Sequence, residues 1–519
     1  MLKCRREALW VGAFLFAYLL CNLLFLTRYP LVHSDESWLG GLTRNMLASG
    51  SPAVTEPFFD LKPRYPHAVK IIFHLLQAGF VAVFGYGAFA LRFLSLLAGC
   101  VALGLAFACC RRVAPFGVAF AVMGTLAVCA QFVAVSHTAR QEVLLLMVAL
   151  WLLHGLLAAD APAAPAVCRR LGLLAGLGVG LHPNGFVLAL GGLCALLLRM
   201  AAQRRFSWKA LAWYMAATGA VALVFVGLSF MFDPQFPAHY RRYGEAEFGL
   251  DAPLWQRVLG FGDYLGKLWR GESGTYVLPD LKAQLLLSGG LLAWGLWRAV
   301  HGRDPAAAAF VGMALGAALG TALIGRYNQL SASLWMLPAL LLLCPLLTAA
   351  RPAWRKWAAR LAVPAVWAAL LLSTVQAVAA ALPYDYGRYL AQIAALVPRQ
   401  AKVLANLNTA FYFDNDALLD VRNLAYLQEN GLTFAAYVES RGITAILWPQ
   451  EMDFIYEHRP DYNALYGNPR AVPEVEAFLR ERCTLLGSVT DAGYAVRIVS
   501  EIGKPYRVDV WRVNPAPEP

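Results

Sequence analysis

Residues 68–88 read AVKIIFHLLQAGFVAVFGYGA, and whether this stretch crosses a membrane decides the side on which every later loop falls. It is nearly long enough to span, but it carries Lys70, His74, Gln77 and Gly85. Charge decides the case. If the stretch lies along the surface, the ends and loops of one side hold 17 basic residues against 3 acidic ones. They include Arg111-Arg112, Arg169-Arg170, Arg204-Arg205 and Arg355-Lys356. Counting 68–88 as a span would place those clusters outside, against the positive-inside bias. It is therefore read as an interfacial or re-entrant helix.

The surrounding composition is that of a polytopic membrane protein. Of 519 residues, 59% are hydrophobic and 15% charged, and the apolar residues come in long runs. Spans are expected near 8–27, 89–110, 115–135, 143–159, 171–182, 186–200, 210–232, 283–300, 306–325, 329–349 and 361–382, about eleven in all. The pair 171–182 and 186–200 is short and reads as two buried helices meeting at Leu181-His182-Pro183-Asn184-Gly185. His182 there reads as a turn residue. The mainly α bundle of residues 1–382 then carries a first outer loop, 28–88, and a second, 233–282. Residues 383–519 change composition and read as a small soluble α/β domain. It has strands at 401–406, 443–448, 485–489 and 506–513, and helices at 417–429 and 433–441. With the N-terminus in the cytosol and eleven crossings, this domain is extracytoplasmic.

Composition also excludes some function classes. The net charge of +12 belongs to residues 1–382, with 31 basic against 15 acidic, while 383–519 hold 13 against 17. Positive-inside loops explain such an excess, so nucleic-acid binding has no support. The ten cysteines are scattered, without a C-x-x-C pair. Walker, G-x-G-x-x-G and H-E-x-x-H signatures are missing from the sequence.

The polar residues that remain collect in the outer loops. Ser34-Asp35-Glu36 follows the first span. Ser34 reads as a helix cap and the two acids as partners of the helix dipole; alternatively, a carboxylate near the membrane plane is costly unless it is used. Lys62, Arg64 and His67 project from a two-proline loop, either as headgroup anchors or as a clamp on a phosphate. Arg140 and Glu142 sit in a short outer turn, where they pair with each other or position a substrate or metal. Arg326-Tyr327 lies in another, where Arg326 is a phosphate partner or an anchor.

This pattern resembles the C-type (GT-C) membrane glycosyltransferases, in particular the bacterial relatives of protein O-mannosyltransferases and of the lipid A aminoarabinose transferase. The residues that carry it are Asp35-Glu36, the Lys62-Pro63 loop with the helix ending Phe84-Gly85, Ala90-Leu91-Arg92-Phe93-Leu94-Ser95, the Arg140/Glu142 turn, and Arg326-Tyr327 before a span with Pro338. The resemblance implies transfer of a sugar from a polyprenyl-phosphate donor to an acceptor lipid, glycan or protein on the outer face of the membrane, with inversion; the Ala, Leu and Arg richness fits a bacterial inner membrane, and an endoplasmic reticulum membrane would have the same geometry. In it Asp35 is the base, and Lys62, Arg64 and Arg326 meet the donor phosphate. Glu36, His67, Arg140 and Tyr327 support them, and a divalent metal ion on Glu142 and Asp35 is an open possibility. Two departures from the family pattern are Glu142 in place of Asp and Lys62-Pro63-Arg64 in place of Lys-Pro-Pro. The competing reading is a lipid or polysaccharide transporter or flippase without transferase chemistry; such proteins tend to show paired repeats and midplane sites, whereas these polar residues gather at one face.

Overall fold

The computed structural model describes residues 2–159, 164–248, 252–272, 279–325, 327–350, 353, 357–458, 471–496 and 505–515. Each of the eleven expected stretches contains a helix. Seven helical segments are long and apolar enough to cross a membrane, and an eighth is the pair α5 (Phe116–Ala127) and α6 (Ala130–His137), bent by 65°. The other three are α7 (Glu142–Ala158), α8 (Pro165–Leu181) and α13 (Lys282–Val300), which fall short of that measure of length and apolarity. The multi-pass character is therefore shown, by seven or eight segments of spanning size. The stretch at 68–88 forms α3 (Ile71–Phe84), 14 residues or roughly 21 Å of helix, well short of a bilayer core.

One correction concerns a helix end. The helix expected at 171–182 begins at Pro165, so Arg169 and Arg170 lie within it. It meets α9 (Gly185–Ala202) with almost no gap: a Cβ on Gly185 would lie 2.3 Å from the Gly178 carbonyl carbon. His182 accepts a hydrogen bond from the Asn184 amide (3.0 Å) at this break. The same close packing recurs between α9 and α14 (Pro305–Ile324). Gly312, Gly316 and Gly320, spaced four apart, set α14 directly against the backbone of Ala195, Gly191 and Val187. Small residues at this spacing let backbones approach where lipid supplies no hydrophobic drive between helices.

The C-terminal region is a five-stranded mixed sheet in the order β2-β1-β3-β5-β4. Its strands are β1 (Val403–Ala405), β2 (Leu418–Asp420), β3 (Ala445–Pro449), β4 (Cys483–Asp491) and β5 (Tyr506–Val513). The helix expected at 417–429 is not formed. Residues 418–420 instead pair in parallel with β1, and Asp420 accepts from the Arg422 amide (2.9 Å) to start 3₁₀ turns. Sheet pairing overrides a helical period here.

The boundary at 382/383 divides the chain but not the packing. Val32, Phe58 and Phe59 of the first loop share one apolar core with Tyr389, Leu407 and Phe413, and Leu61 joins a second core with Leu404 and Leu419. The loop thus wraps the edge strand β2, whose Asp420 amide donates to the Phe58 carbonyl (3.0 Å). Covering an edge in this way removes an open pairing surface. Burying each phenylalanine stabilises the docking by about 1.5–3 kcal/mol. Further ties include Asn423 donating to the Phe58 carbonyl and Asp60 accepting from Tyr437 and Arg441.

Candidate active site

The site is built on the first two turns of α2 (Ser34–Ser49). The expected cap, Ser34, is displaced by His33. His33 Nδ1 accepts from the Asp35 amide (3.0 Å), and the Glu36 carboxylate returns to the His33 amide (2.8 Å). Burial lowers the His33 pKa, which keeps Nδ1 an acceptor. Once the cap is made, Glu36 points inward and Asp35 sideways.

Glu36 is wholly buried against Arg92 of α4 (Ala88–Arg111), with a two-pronged contact at 2.6 and 2.7 Å. Its Oε2 also accepts from the Ala139 amide (2.8 Å), while Arg92 donates to the carbonyls of Leu26 and Pro30. This one pair fastens the end of the first span, the start of α2, the helix α4 and the turn that carries Arg140. Arg140 bridges Asp35 and Glu142, reaching Glu142 Oε1 at 3.0 Å. The three acids differ in access: the side chain of Asp35 is 26% exposed, against 0% for Glu36 and 1% for Glu142. Only Asp35 of the three is open to a substrate.

The Asp35/Glu142 pair does not fit a metal centre. The guanidinium of Arg140 occupies the position between the two carboxylates, and among the described residues no group of three or more His, Cys, Asp or Glu is placed to hold an ion.

One turn beyond Asp35, Trp38 lies on the same face of α2. Its indole N–H donates to Glu56 (2.6 Å). With Phe59 it forms an aromatic floor for two of the expected cations: the Lys62 ammonium lies 5.1 Å from the Trp38 ring and 4.8 Å from that of Phe59, and the Arg64 guanidinium 5.1 and 5.9 Å. Tyr243, from α11 (Phe236–Phe248), faces both cations. A crevice of about 740 Å³ opens beside them, lined by Glu56, Phe59, Asp60, Lys62 and Arg64 among others. The loops of residues 28–88 and 233–282 thus meet here.

Arg64 is latched by Glu56 at 2.8 and 3.2 Å. Burial works against the Glu56 carboxylate, but Arg64 and Lys70 outweigh it and hold its pKa at about 2. A group depressed from the ordinary 4.5 to about 2 contributes stability above pH 4.5 that is lost as the pH falls towards 2, on the order of 3 kcal/mol in full. Limited proteolysis of the 53–66 loop should therefore accelerate as the pH falls below about 4.5. In Glu56→Gln the loop should already be cut readily at neutral pH, with a flatter profile. Equal acid sensitivity in the two proteins would show that this latch does not hold the loop.

Of the remaining expected residues, His67 sits beside the cage, lining one pocket with Arg64 and Tyr243. His67 packs edge-on against Tyr240 at 5.3 Å, and burial, with Lys70 and Arg64 nearby, pushes its pKa well below the usual range. It is a neutral ring and no part of a cationic clamp. Tyr327 stacks on Tyr264 (5.0 Å) and donates to the Arg257 carbonyl, both on α12 (Leu254–Arg270). Arg326 lies outside the described residues. The sequence reading missed Arg92 as the partner of Glu36, and it missed Trp38, Glu56 and Tyr243 as parts of the cage. The signal available for Trp38 was its position three residues after Asp35.

The fold and site together define a membrane-embedded helical bundle, capped by an α/β domain, with an accessible acid beside a caged pair of cations. Residues 67–230 match the family model described as dolichyl-phosphate-mannose-protein mannosyltransferase, a stretch that begins after Asp35, Lys62 and Arg64. No curated protein matches the chain. Among solved structures, the chain is similar to ArnT from Cupriavidus metallidurans bound to undecaprenyl phosphate: TM-score 0.58, 18% identity, 96% of this chain and 98% of that one covered. The apo form of that protein gives a TM-score of 0.60 at 16% identity, with 96% and 97% covered. The archaeal oligosaccharyltransferase AglB from Archaeoglobus fulgidus, in complex with an inhibitory peptide and a dolichol-phosphate, gives 0.55 at 13% identity, over 90% of this chain and 72% of that one. At these identities the likeness is one of fold, and with ArnT it extends over both the bundle and the C-terminal domain.

Proposed function

We propose that this protein transfers a sugar from a polyprenyl-phosphate-linked donor to a hydroxyl or similar group of an acceptor lipid, glycan or protein, on the outer face of the membrane and with inversion at the anomeric carbon. The observation that supports the reading is one accessible carboxylate, Asp35, one helical turn before Trp38, the residue whose ring carries Lys62 and Arg64. The acceptor oxygen attacks the anomeric carbon as its proton passes to Asp35, and the bond from that carbon to the phosphate oxygen breaks on the opposite face. A phosphodiester with one negative charge becomes a monoester with two. Lys62 and Arg64 sit where they offset the charge that builds, the electrostatic contribution that usually dominates such catalysis. No metal is needed in this scheme; Arg140 holds Asp35 and Glu142 in register.

The test uses purified full-length protein with a labelled polyprenyl-phosphate sugar and measures release of polyprenyl phosphate. Release that depends on added acceptor is expected. Failure to turn over with lipid, glycan and peptide acceptors, while the donor still binds, would favour a transporter. A reporter after residue 400 should read as extracytoplasmic, and a cytosolic signal would move the site to the wrong face.

A further inference from the structure

The cage on Trp38 holds a third cation, and it comes from the C-terminal domain. The Arg422 guanidinium lies 4.6 Å from the Trp38 ring and 5.5 Å from that of Phe59, the same two rings that carry Lys62 and Arg64. Arg422 follows β2 directly, in the turn begun by Asp420, and is 5% exposed. Its position is fixed twice over, because Asp420 accepts from the Arg422 amide and its own amide is bonded to Phe58. Three groups within about 5 Å of one ring centre lie no more than about 10 Å from one another, so they repel. Two carboxylates stand beside them, Glu56 against Arg64 and Asp420 at 3.7 Å from Arg422 Nε. Three cations from two separate stretches of chain thus converge on one pair of rings, a grouping whose mutual repulsion an anion would relieve.

We propose that Arg422 is a phosphate-binding residue and that the C-terminal domain is therefore a wall of the donor site. The inference rests on the transferase reading and names the anion as the phosphate headgroup of the lipid-linked donor and of the lipid product. A guanidinium offers a fork of donors matched to phosphate oxygens, whereas Lys62 acts as a point charge. The loss of a charged hydrogen bond to such a headgroup corresponds to roughly tenfold to hundredfold weaker binding.

The experiment measures equilibrium binding of a labelled short-chain prenyl phosphate to the full-length protein in detergent, with the matching prenyl alcohol and inorganic phosphate as competitors. For Arg422→Met, prenyl phosphate should bind roughly tenfold to hundredfold more weakly while the alcohol binds as in the wild type. Arg422→Lys should recover part of the loss, and it serves alone if the Met variant does not fold. Arg480→Met, exposed on the same domain, should change nothing. An unchanged affinity in Arg422→Met, or an equal loss for phosphate and alcohol, would overturn the assignment to Arg422 while leaving the transferase reading in place. Inorganic phosphate competing as well as the prenyl phosphate would overturn the lipid source. A wild type that binds the phosphate no better than the alcohol would overturn both the inference and the reading beneath it.

Discussion

Asp35→Asn is expected to slow release of polyprenyl phosphate by roughly 10²- to 10⁴-fold, the range for loss of a positioned general base. The fold should survive. Asp35 is partly exposed, and an asparagine oxygen can still accept from Arg140 while that arginine keeps its contact with Glu142. The Michaelis constant for the donor should change little, because Lys62 and Arg64 keep their places on Trp38 and Phe59, and Arg64 its contact with Glu56. Loss in kcat with an unaltered KM separates proton removal from binding. Turnover equal to wild type would remove Asp35 from the mechanism, and neither Glu36 nor Glu142 could replace it, since both are buried in ion pairs.

The largest effect on stability should come from Arg92→Met. The guanidinium and the Glu36 carboxylate are both fully buried, and removing one leaves the other charge uncompensated, a loss of about 3–5 kcal/mol. Two carbonyls, those of Leu26 and Pro30, also lose their donor. Activity should fall with stability, because the Ala139 amide that Glu36 holds lies next to Arg140. The double variant Glu36→Gln with Arg92→Met should be less destabilised than the sum of the two single variants, the sign of direct coupling. Thermal unfolding in detergent measures both. An Arg92→Met protein within about 1 kcal/mol of wild type would mean that the pair is not holding these segments together.

The two variants divide the adjacent acids of α2 between chemistry and structure. That division follows from cap geometry: His33 takes the Asp35 amide, Glu36 turns back over the cap towards Arg92, and Asp35 is left partly exposed beside Arg140.

Much of this was legible in the sequence. Apolar runs place the helices because burial in lipid demands long hydrophobic segments with their backbone bonds closed internally. Lys62, Arg64 and Asp35 stood out as charges close to spans, whereas the shortness of α3, 14 residues where the sequence reads as nearly long enough to span, came only with the structure. The helix misread at 417–429 shows the limit of period, since Leu418–Asp420 take their conformation from β1, a partner no local pattern reveals. The site shows the same limit. Asp35 and Glu36 are chemically near equals in the chain, and only packing makes one accessible and buries the other against an arginine 56 residues away. Lys62 and Arg64 were visible as charges, but the aromatic floor that holds them, the latch of Glu56 and the approach of Arg422 exist only once the first loop has folded over β2. Amino-acid type and spacing determine which groups are charged and which segments are apolar. Burial and the direction of a side chain depend on what the rest of the chain brings alongside, and those decided which acid can act and which cations stand beside it.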